Sequence, residues 1–378
     1  MKIAVNTRLL IKNKLEGIGW FTCETLRRVV KLHPEHDFYF LFDRGYHDDF
    51  IFAKNVHPMV ISPPTRHPIL QYWWFEKSLP AALKKIKPDL FFSPDAYNSL
   101  ALPYKNIMVI HDLNFEHFPE WMPWVERFYY RHFTPLFAKK ADRILTVSQY
   151  SKEDIHRQYG IPLNKIDVVY NGAHSRYKVL TNEEIQKVRM EISKGQPYFL
   201  FVGAFNPRKN ISRLFQAFDL FKDTHKSDVK LVMVGEKMYW TREMERIFKQ
   251  MHHAREVIFT GRLEPEVLSQ VMGSALALVY VPLFEGFGIP ILEAFRAEIP
   301  VITSNTTSMP EVAGEAALLV DPFQIESIAN AMKSITFEPD LRFALVEKGK
   351  QQRKRFGWDQ TAERVWKAIE ALLSSVDN

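Results

Sequence analysis

Cysteine is almost absent: Cys23 is the only one in 378 residues. A secreted chain of this size normally carries several cysteines or an export signal, and MKIAVNTRLL has no apolar signal core, so disulfide scaffolding is excluded and a cytoplasmic protein is expected. No unbroken apolar run approaches the roughly 18 residues that span a bilayer, so any membrane contact is peripheral. Repeats and low-complexity segments are missing too, and 46% hydrophobic with 25% charged residues is the composition of an ordinary folded protein. No Asp-x-Asp pair stands out, and no Cys/His set has metal-ligand spacing, so neither a metal nor another cofactor is expected.

At this length one hydrophobic core is exceeded, and two domains of ordinary size are expected. The formal charge of +6 is uneven, because residues 1–175 hold 23 Lys and Arg against 18 Asp and Glu. That excess suits an anionic surface, but it is modest; a solvated exterior accounts for it, and no nucleic-acid partner is expected. From Pro68 to Phe92, Tyr72, Trp73, Trp74 and Phe75 mix with Lys77, Lys84, Lys85 and Lys87. This pattern fits an interfacial amphipathic helix and a core-facing helix equally well.

Short apolar strands recur through the chain. KIAVNTRLL opens as a buried parallel strand, followed by a glycine loop, Gly17 to Gly19, and a helix over about 20–32. FYFLF (38–42), DLFFSP (89–94), NIMVIHD (106–112) and RILTVS (143–148) follow, separated by helix-length segments, which is the pattern of a doubly wound sheet. After IDVVYNGA (166–173) and a polar stretch from Tyr177 to Lys194 the alternation restarts, with strands at 197–203, 229–235, 257–261, 275–281 and 300–304. We therefore expect an α/β protein of two Rossmann-like domains, 1–175 and 176–357, facing across a cleft at their strand ends. A last amphipathic helix, about 358–378, carries Ala362, Val365, Trp366, Ile369 and Leu372 at helical spacing.

The most informative segment is FEGFGIPILEAFRAEIPVITSNTTSMPEVAGEAALLVDP, 284–322. Glu285, Gly286 and Gly288 precede a helix entered at Pro290, so backbone N–H groups at a helix start are open to a diphosphate. A carboxylate is repelled by phosphate, so Glu285 and Glu293 point to neutral hydroxyls of a sugar or ribose. A glycosidase pair is disfavoured, because carboxyls eight residues apart on one helix lie about 12 Å apart along its axis. Taken alone, Gly-x-Gly is weak, and Glu293 is equally read as a satisfied helix acid.

Glu285-x7-Glu293 and the residues after it resemble the donor-site signature of the retaining glycosyltransferases of family 4, which have the GT-B fold of two Rossmann domains. The resemblance covers nearly the whole chain. It includes Gly17-Ile18-Gly19, His111 in VIHDLNFEHFP, TVSQYS at 146–151, VGAFNPRKN with Gly203, Arg208 and Lys209, and the closing FGWDQTAERVWKAI. It implies that Glu285 holds hydroxyls of the donor sugar and Glu293 the ribose, with the amides of Gly286, Phe287 and Gly288 near sugar and phosphate. Arg208 and Lys209 would neutralise the departing diphosphate in place of a metal. Gly17, Gly19 and Gly203 belong to the donor-facing loops. His111 would donate to a sugar hydroxyl or stabilise positive charge near the reacting carbon. Asp112 beside it would orient the acceptor hydroxyl or serve as its base. The chain departs from the family at Ala204, where many members place an Arg. Either Arg208 or Arg262, in a loop that in the family lies close to the nucleobase, would cover that role.

The resemblance implies metal-independent transfer of a hexose from GDP-mannose or a UDP-hexose to a hydroxyl, with retention of configuration. The departing phosphate oxygen would serve as the base. The acceptor is expected to be a carbohydrate, free or on a lipid carrier, used in cell-surface polysaccharide, lipopolysaccharide or glycolipid assembly. Peripheral contact with the inner face of the membrane would run through the N-terminal domain. Rival readings are a nucleotide-sugar epimerase, a phosphorylase, a dinucleotide oxidoreductase and a non-catalytic sugar-nucleotide binder. A phosphorylase would need a pyridoxal lysine, which nothing marks. The oxidoreductase fails because Gly17-Ile18-Gly19 lacks a third glycine at the required spacing.

Overall fold

The computed structural model describes residues 1–374. The chain divides into two compact units, one formed by Met1–Asn171 together with the stretch from Trp358 onward, the other by Gly172–Gly357.

The first unit is built on seven strands: β1 (Lys2–Asn6), β2 (Asp37–Phe42), β3 (Val56–Val60), β4 (Leu90–Ser93), β5 (Lys105–Ile110), β6 (Arg143–Thr146) and β7 (Ile166–Val168). They pair in parallel in the order β3-β2-β1-β4-β5-β6-β7. The inner strands are buried over most of their length, and β4 throughout, because helices cover both faces of such a sheet. Strand β3, VHPMV, had no reading as a strand. Its Pro58 lacks a ladder donor and its residues are half exposed, which an edge position tolerates.

The second unit repeats the design with β8 (Tyr198–Val202), β9 (Lys230–Val234), β10 (Val257–Gly261), β11 (Ala277–Tyr280), β12 (Val301–Ser304) and β13 (Leu318–Val320), all parallel, in the order β10-β9-β8-β11-β12-β13. Strand β13, three residues long at an edge, was likewise not expected from the sequence. Each sheet thus runs outward in both directions from its first strand. The reversal falls between β1 and β4 in one unit and between β8 and β11 in the other. At such a switch point the adjacent loops diverge to opposite faces and leave a crevice beyond the carboxyl ends of the strands.

Two local expectations change. Gly17 and Gly19 are not a loop: the helix Gly17–Leu32 begins at Gly17, and a Cβ on Gly19 would sit 3.2 Å from the Leu9 carbonyl. The segment from Pro68 is not one helix but Pro68–Trp73, a π-helical turn Trp74–Ser78 and Leu79–Ile86. The π turn shifts the phase, so Trp74 and Phe75 enter the core while Tyr72 and Trp73 face out. The last helix, Trp358–Ser374, lies against Gly17–Leu32 with Val365, Trp366 and Ile369 buried and Trp366 stacked 3.6 Å from His33. Residues 375–378 of the expected helix lie outside the described residues.

Candidate active site

Four loops meet the carboxyl ends of the second sheet around its switch point. β8 ends in Gly203, whose φ of 146° suits glycine, and its amide bonds the Val234 carbonyl at 3.0 Å. Gly235, at the end of β9, is the tighter site. A Cβ there would fall 2.0 Å from the Gly203 carbonyl oxygen. The repeated Val-Gly at 202–203 and 234–235 was the signal for it, and sequence reading used only the first.

Beyond Gly203 the residues NPRKN make a 3-10 turn, Pro207–Lys209. The Asn206 side chain caps it by accepting from the Lys209 amide. Asn210, in the left-handed region at φ 61°, buries its amide group and donates to the Val281 and Pro322 carbonyls at 3.1 and 2.7 Å. The turn is thereby tied to the end of β11, and the Leu283 amide also bonds the Arg208 carbonyl at 2.9 Å.

That tie brings the basic pair onto Glu285. Arg208 contacts the carboxylate at 2.7 Å and donates to the Phe284 carbonyl at 3.2 Å. Lys209 pairs with the same Oε1 and donates to the Tyr280 hydroxyl at 2.6 Å. Burial would raise the Glu285 carboxyl, but the charges of Arg208 and Lys209, with hydrogen bonds from Lys209 and Tyr280, hold it down at about 2. Burial pushes Tyr280 well above the usual phenol range, and the Glu285 charge adds to this. Two cations therefore share one buried anion at the strand ends. Tyr280, inside an apolar strand, escaped sequence reading.

Gly288, at φ 95°, starts the helix Ile289–Ala297, with Pro290 in its first turn. A Cβ on Gly288 would press within 2.8 Å of the end of the Met309 side chain, and the positive φ is the backbone conformation that favours glycine there. Glu285 is in the loop and Glu293 in the helix, so the two are not stacked along one axis. Burial raises the Glu293 carboxyl to about 7, against a hydrogen bond from Tyr177 and the charge of Arg176. Both carboxylates act electrostatically on Tyr280, which ties them to one site. On β12's loop, the Ser308 hydroxyl donates to the Glu285 carbonyl at 2.9 Å. The hydroxyls of Thr306 and Thr307 are buried with no partner, and Thr307 has φ 55°. A β-branched residue in that region is strained.

Arg262 is exposed at the end of edge strand β10, two strands from β8. Of the two arginines considered for the place of Ala204, Arg208 is the one against Glu285. Elsewhere on this unit, Asp219, Asp223 and His252 gather within 4.8 Å. Asp219 accepts from the His252 and His253 amides, and Asp223 pairs with both rings, so these groups hold each other.

In the first unit, His111 follows β5. Its Nε2 lies 2.9 Å from the Pro94 carbonyl, and its ring meets Phe21 edge-on at 5.0 Å. A carbonyl only accepts, so Nε2 carries the proton and donates. Burial lowers the imidazole's pKa, favouring the neutral ring with Nδ1 as acceptor. An Nδ1 acceptor receives a hydroxyl proton rather than donating one, in contrast to the donor role expected. Asp112 accepts from the Asn114 amide and side chain at 3.1 and 2.7 Å. At this sheet's own switch point is a buried pair that sequence reading missed: Arg8 Nη2 contacts Asp95 at 2.9 Å, and Asn6 donates to the other carboxylate oxygen at 3.0 Å. The Arg8 guanidinium covers the Tyr97 ring at 4.3 Å.

Comparison with known proteins agrees in both halves. Residues 15–176 match the model "Glycosyltransferase Family 4" and residues 182–352 match "Glycosyl transferases group 1". The chain is 26% identical to O-antigen chain mannosyltransferase B of Escherichia coli over 96% of this chain and 98% of that protein. It is 28% identical to O-antigen chain mannosyltransferase RfbU of Salmonella typhimurium over 65% of this chain and 64% of that one. Among solved structures, sucrose-phosphate synthase from Thermosynechococcus elongatus superposes with a TM-score of 0.79 at 16% identity, covering 100% of both chains, a likeness of fold. With one model matched in each half and that architecture throughout, the chain belongs to the family 4 glycosyltransferases of GT-B fold.

Proposed function

We propose that this glycosyltransferase moves a hexose, most readily mannose, from a nucleoside-diphosphate sugar to a hydroxyl of a growing surface polysaccharide or its lipid-linked precursor, with retention of configuration. One observation carries the reading: Glu285 is clamped by Arg208 and Lys209 at a sheet switch point. The carboxylate accepts from sugar hydroxyls. The two cations and the amides at the start of Ile289–Ala297 receive the diphosphate as its charge grows. Glu293 accepts from the ribose, and the unpartnered Thr306 and Thr307 hydroxyls receive phosphate or sugar oxygens. The C1–O bond to the β-phosphate breaks, the acceptor oxygen bonds C1 on the same face, and the acceptor proton passes to the departing phosphate oxygen. His111 Nδ1 accepts from a hydroxyl near the reacting carbon, and Asp112 orients the acceptor. Because Arg208 and Lys209 supply the positive charge, no metal is needed, and transfer persists in EDTA.

The mannosyl preference rests on the two O-antigen relatives named above. A thermal-shift panel of GDP-mannose, UDP-glucose, UDP-GlcNAc and UDP-galactose tests it. GDP-mannose should raise the melting temperature most, and Glu285→Ala should abolish the rise. If Glu285→Ala and Glu293→Ala leave both donor affinity and transfer unchanged, the reading fails. A β-linked product from an α-linked donor would overturn retention.

A further inference from the structure

Tyr280 touches both Lys209 and Glu285 but has no part in the transfer proposed above. It is the last residue of β11, 1% exposed, with Val279 and Val281 on either side. Phenylalanine would fill that place without a polar atom, and a phenol buried there costs free energy unless its hydroxyl is bonded. Both of its bonds go to charged groups. The oxygen accepts from the Lys209 ammonium at 2.6 Å, and the O–H donates to the Glu285 carboxylate. Burial keeps the phenol protonated, so the O–H stays a donor. The neighbouring strands fix the residue itself: its ring stacks on Phe201 of β8 at 6.5 Å, and its carbonyl accepts from the Thr303 hydroxyl of β12 at 2.7 Å. Lys209, by contrast, reaches in from a 3-10 turn on a four-carbon stem. A strand residue therefore anchors a long, flexible side chain.

A nucleoside diphosphate entering this site competes with Glu285 for Lys209 and Arg208, because both it and the carboxylate are anions. The phenol is uncharged and stands outside that competition. Its oxygen keeps the ammonium at the strand ends, and its O–H keeps the carboxylate hydrogen-bonded as Lys209 turns to phosphate. We propose that Tyr280 is a positioning residue for sugar transfer, its one hydroxyl holding Lys209 for the leaving diphosphate and Glu285 for the sugar. This role rests on the donor-site reading above and adds to it a residue that touches no substrate.

Tyr280→Phe removes one oxygen and keeps the ring. The probe is GDP-mannose, UDP-glucose, UDP-GlcNAc or UDP-galactose, whichever raises the melting temperature of the full-length chain most. Release of nucleoside diphosphate, with water or methyl mannoside as acceptor, reads the broken bond. Tyr280→Phe should slow release at saturating donor at least about ten-fold, as expected for losing a hydrogen bond to a charged group, with donor KM changed less than about three-fold. The loss falls on the rate because the hold matters most as charge grows on the leaving group. The unfolding temperature without donor should match the wild type, whereas a merely structural role would move it and KM along with the rate. Unchanged release, a rise in KM as large as the fall in rate, or a variant that no longer folds overturns the proposal. Glu285→Ala separates the two readings. If it abolishes release while Tyr280→Phe releases as the wild type does, only the role of Tyr280 fails. If Glu285→Ala releases as the wild type does, or the wild type releases none, the donor-site reading fails and the role of Tyr280 with it.

Discussion

Glu293 is held against ionisation by burial, with its carboxyl raised to about 7, while Glu285 is held ionised at about 2 by its two cations against the opposing effect of burial. The signs oppose each other. A raised carboxyl leaves stability untouched below the unfolded value near 4.5 and removes it progressively as pH climbs to about 7. Glu293→Gln should therefore stabilise the unliganded protein at pH 8, by on the order of 1 to 3 kcal/mol, and change nothing at pH 4. Chemical denaturation at both values checks this. A depressed carboxyl does the reverse: the stability from Glu285 is present above 4.5 and lost as pH falls toward 2. On the proposed reading, ribose hydroxyls donating to Glu293 lower its pKa, so donor binding at pH 7 releases protons. Calorimetry in buffers of different ionisation enthalpy should register that release, and Glu293→Gln should abolish it. Asp95→Asn breaks the buried pair with Arg8 and should cost about 3 kcal/mol, measured by urea unfolding of the first unit.

Among the elements, sequence patterning was most legible where burial was complete. The inner strands, such as LFFS and ALVY, read as continuous apolar runs because both sheet faces are covered. The edge strands were illegible for the matching reason. β3 is interrupted by Pro58, and β13 is three residues with one of them exposed. The Gly17–Gly19 misreading arose because glycine reports backbone freedom or close approach without saying which; here Gly19 clears the Leu9 carbonyl. Gly235 shows the same demand more strongly. Gly235→Ala should force β9 from β8 at their ends and destabilise the second unit by more than about 1 kcal/mol, with loss of donor binding by thermal shift. The closing helix depends on packing. Trp366→Ala should cost about 3 to 5 kcal/mol, because a buried indole stacked on His33 leaves a large cavity.

At the scale of the whole molecule, the two units offer separate readouts. On the proposed reading, donor binding should slow amide exchange in the 203–210 and 284–308 segments, leaving the β1–β4 strand ends of the first unit unchanged. Protection of the first unit alone would reverse the assignment of the donor site. The sequence by itself determined the fold class, the repeat of the α/β design and the segments carrying chemistry, because strand burial, glycine freedom and residue type are local properties of the chain. What only the tertiary structure decided was pairing across distance. Lys209 meets Tyr280 and Glu285, Tyr177 meets Glu293, and Arg8 meets Asp95, each across more sequence than any local periodicity spans. Those meetings set the charge states of the site, since a carboxyl's pKa follows from the neighbours and the solvent that folding brings or removes.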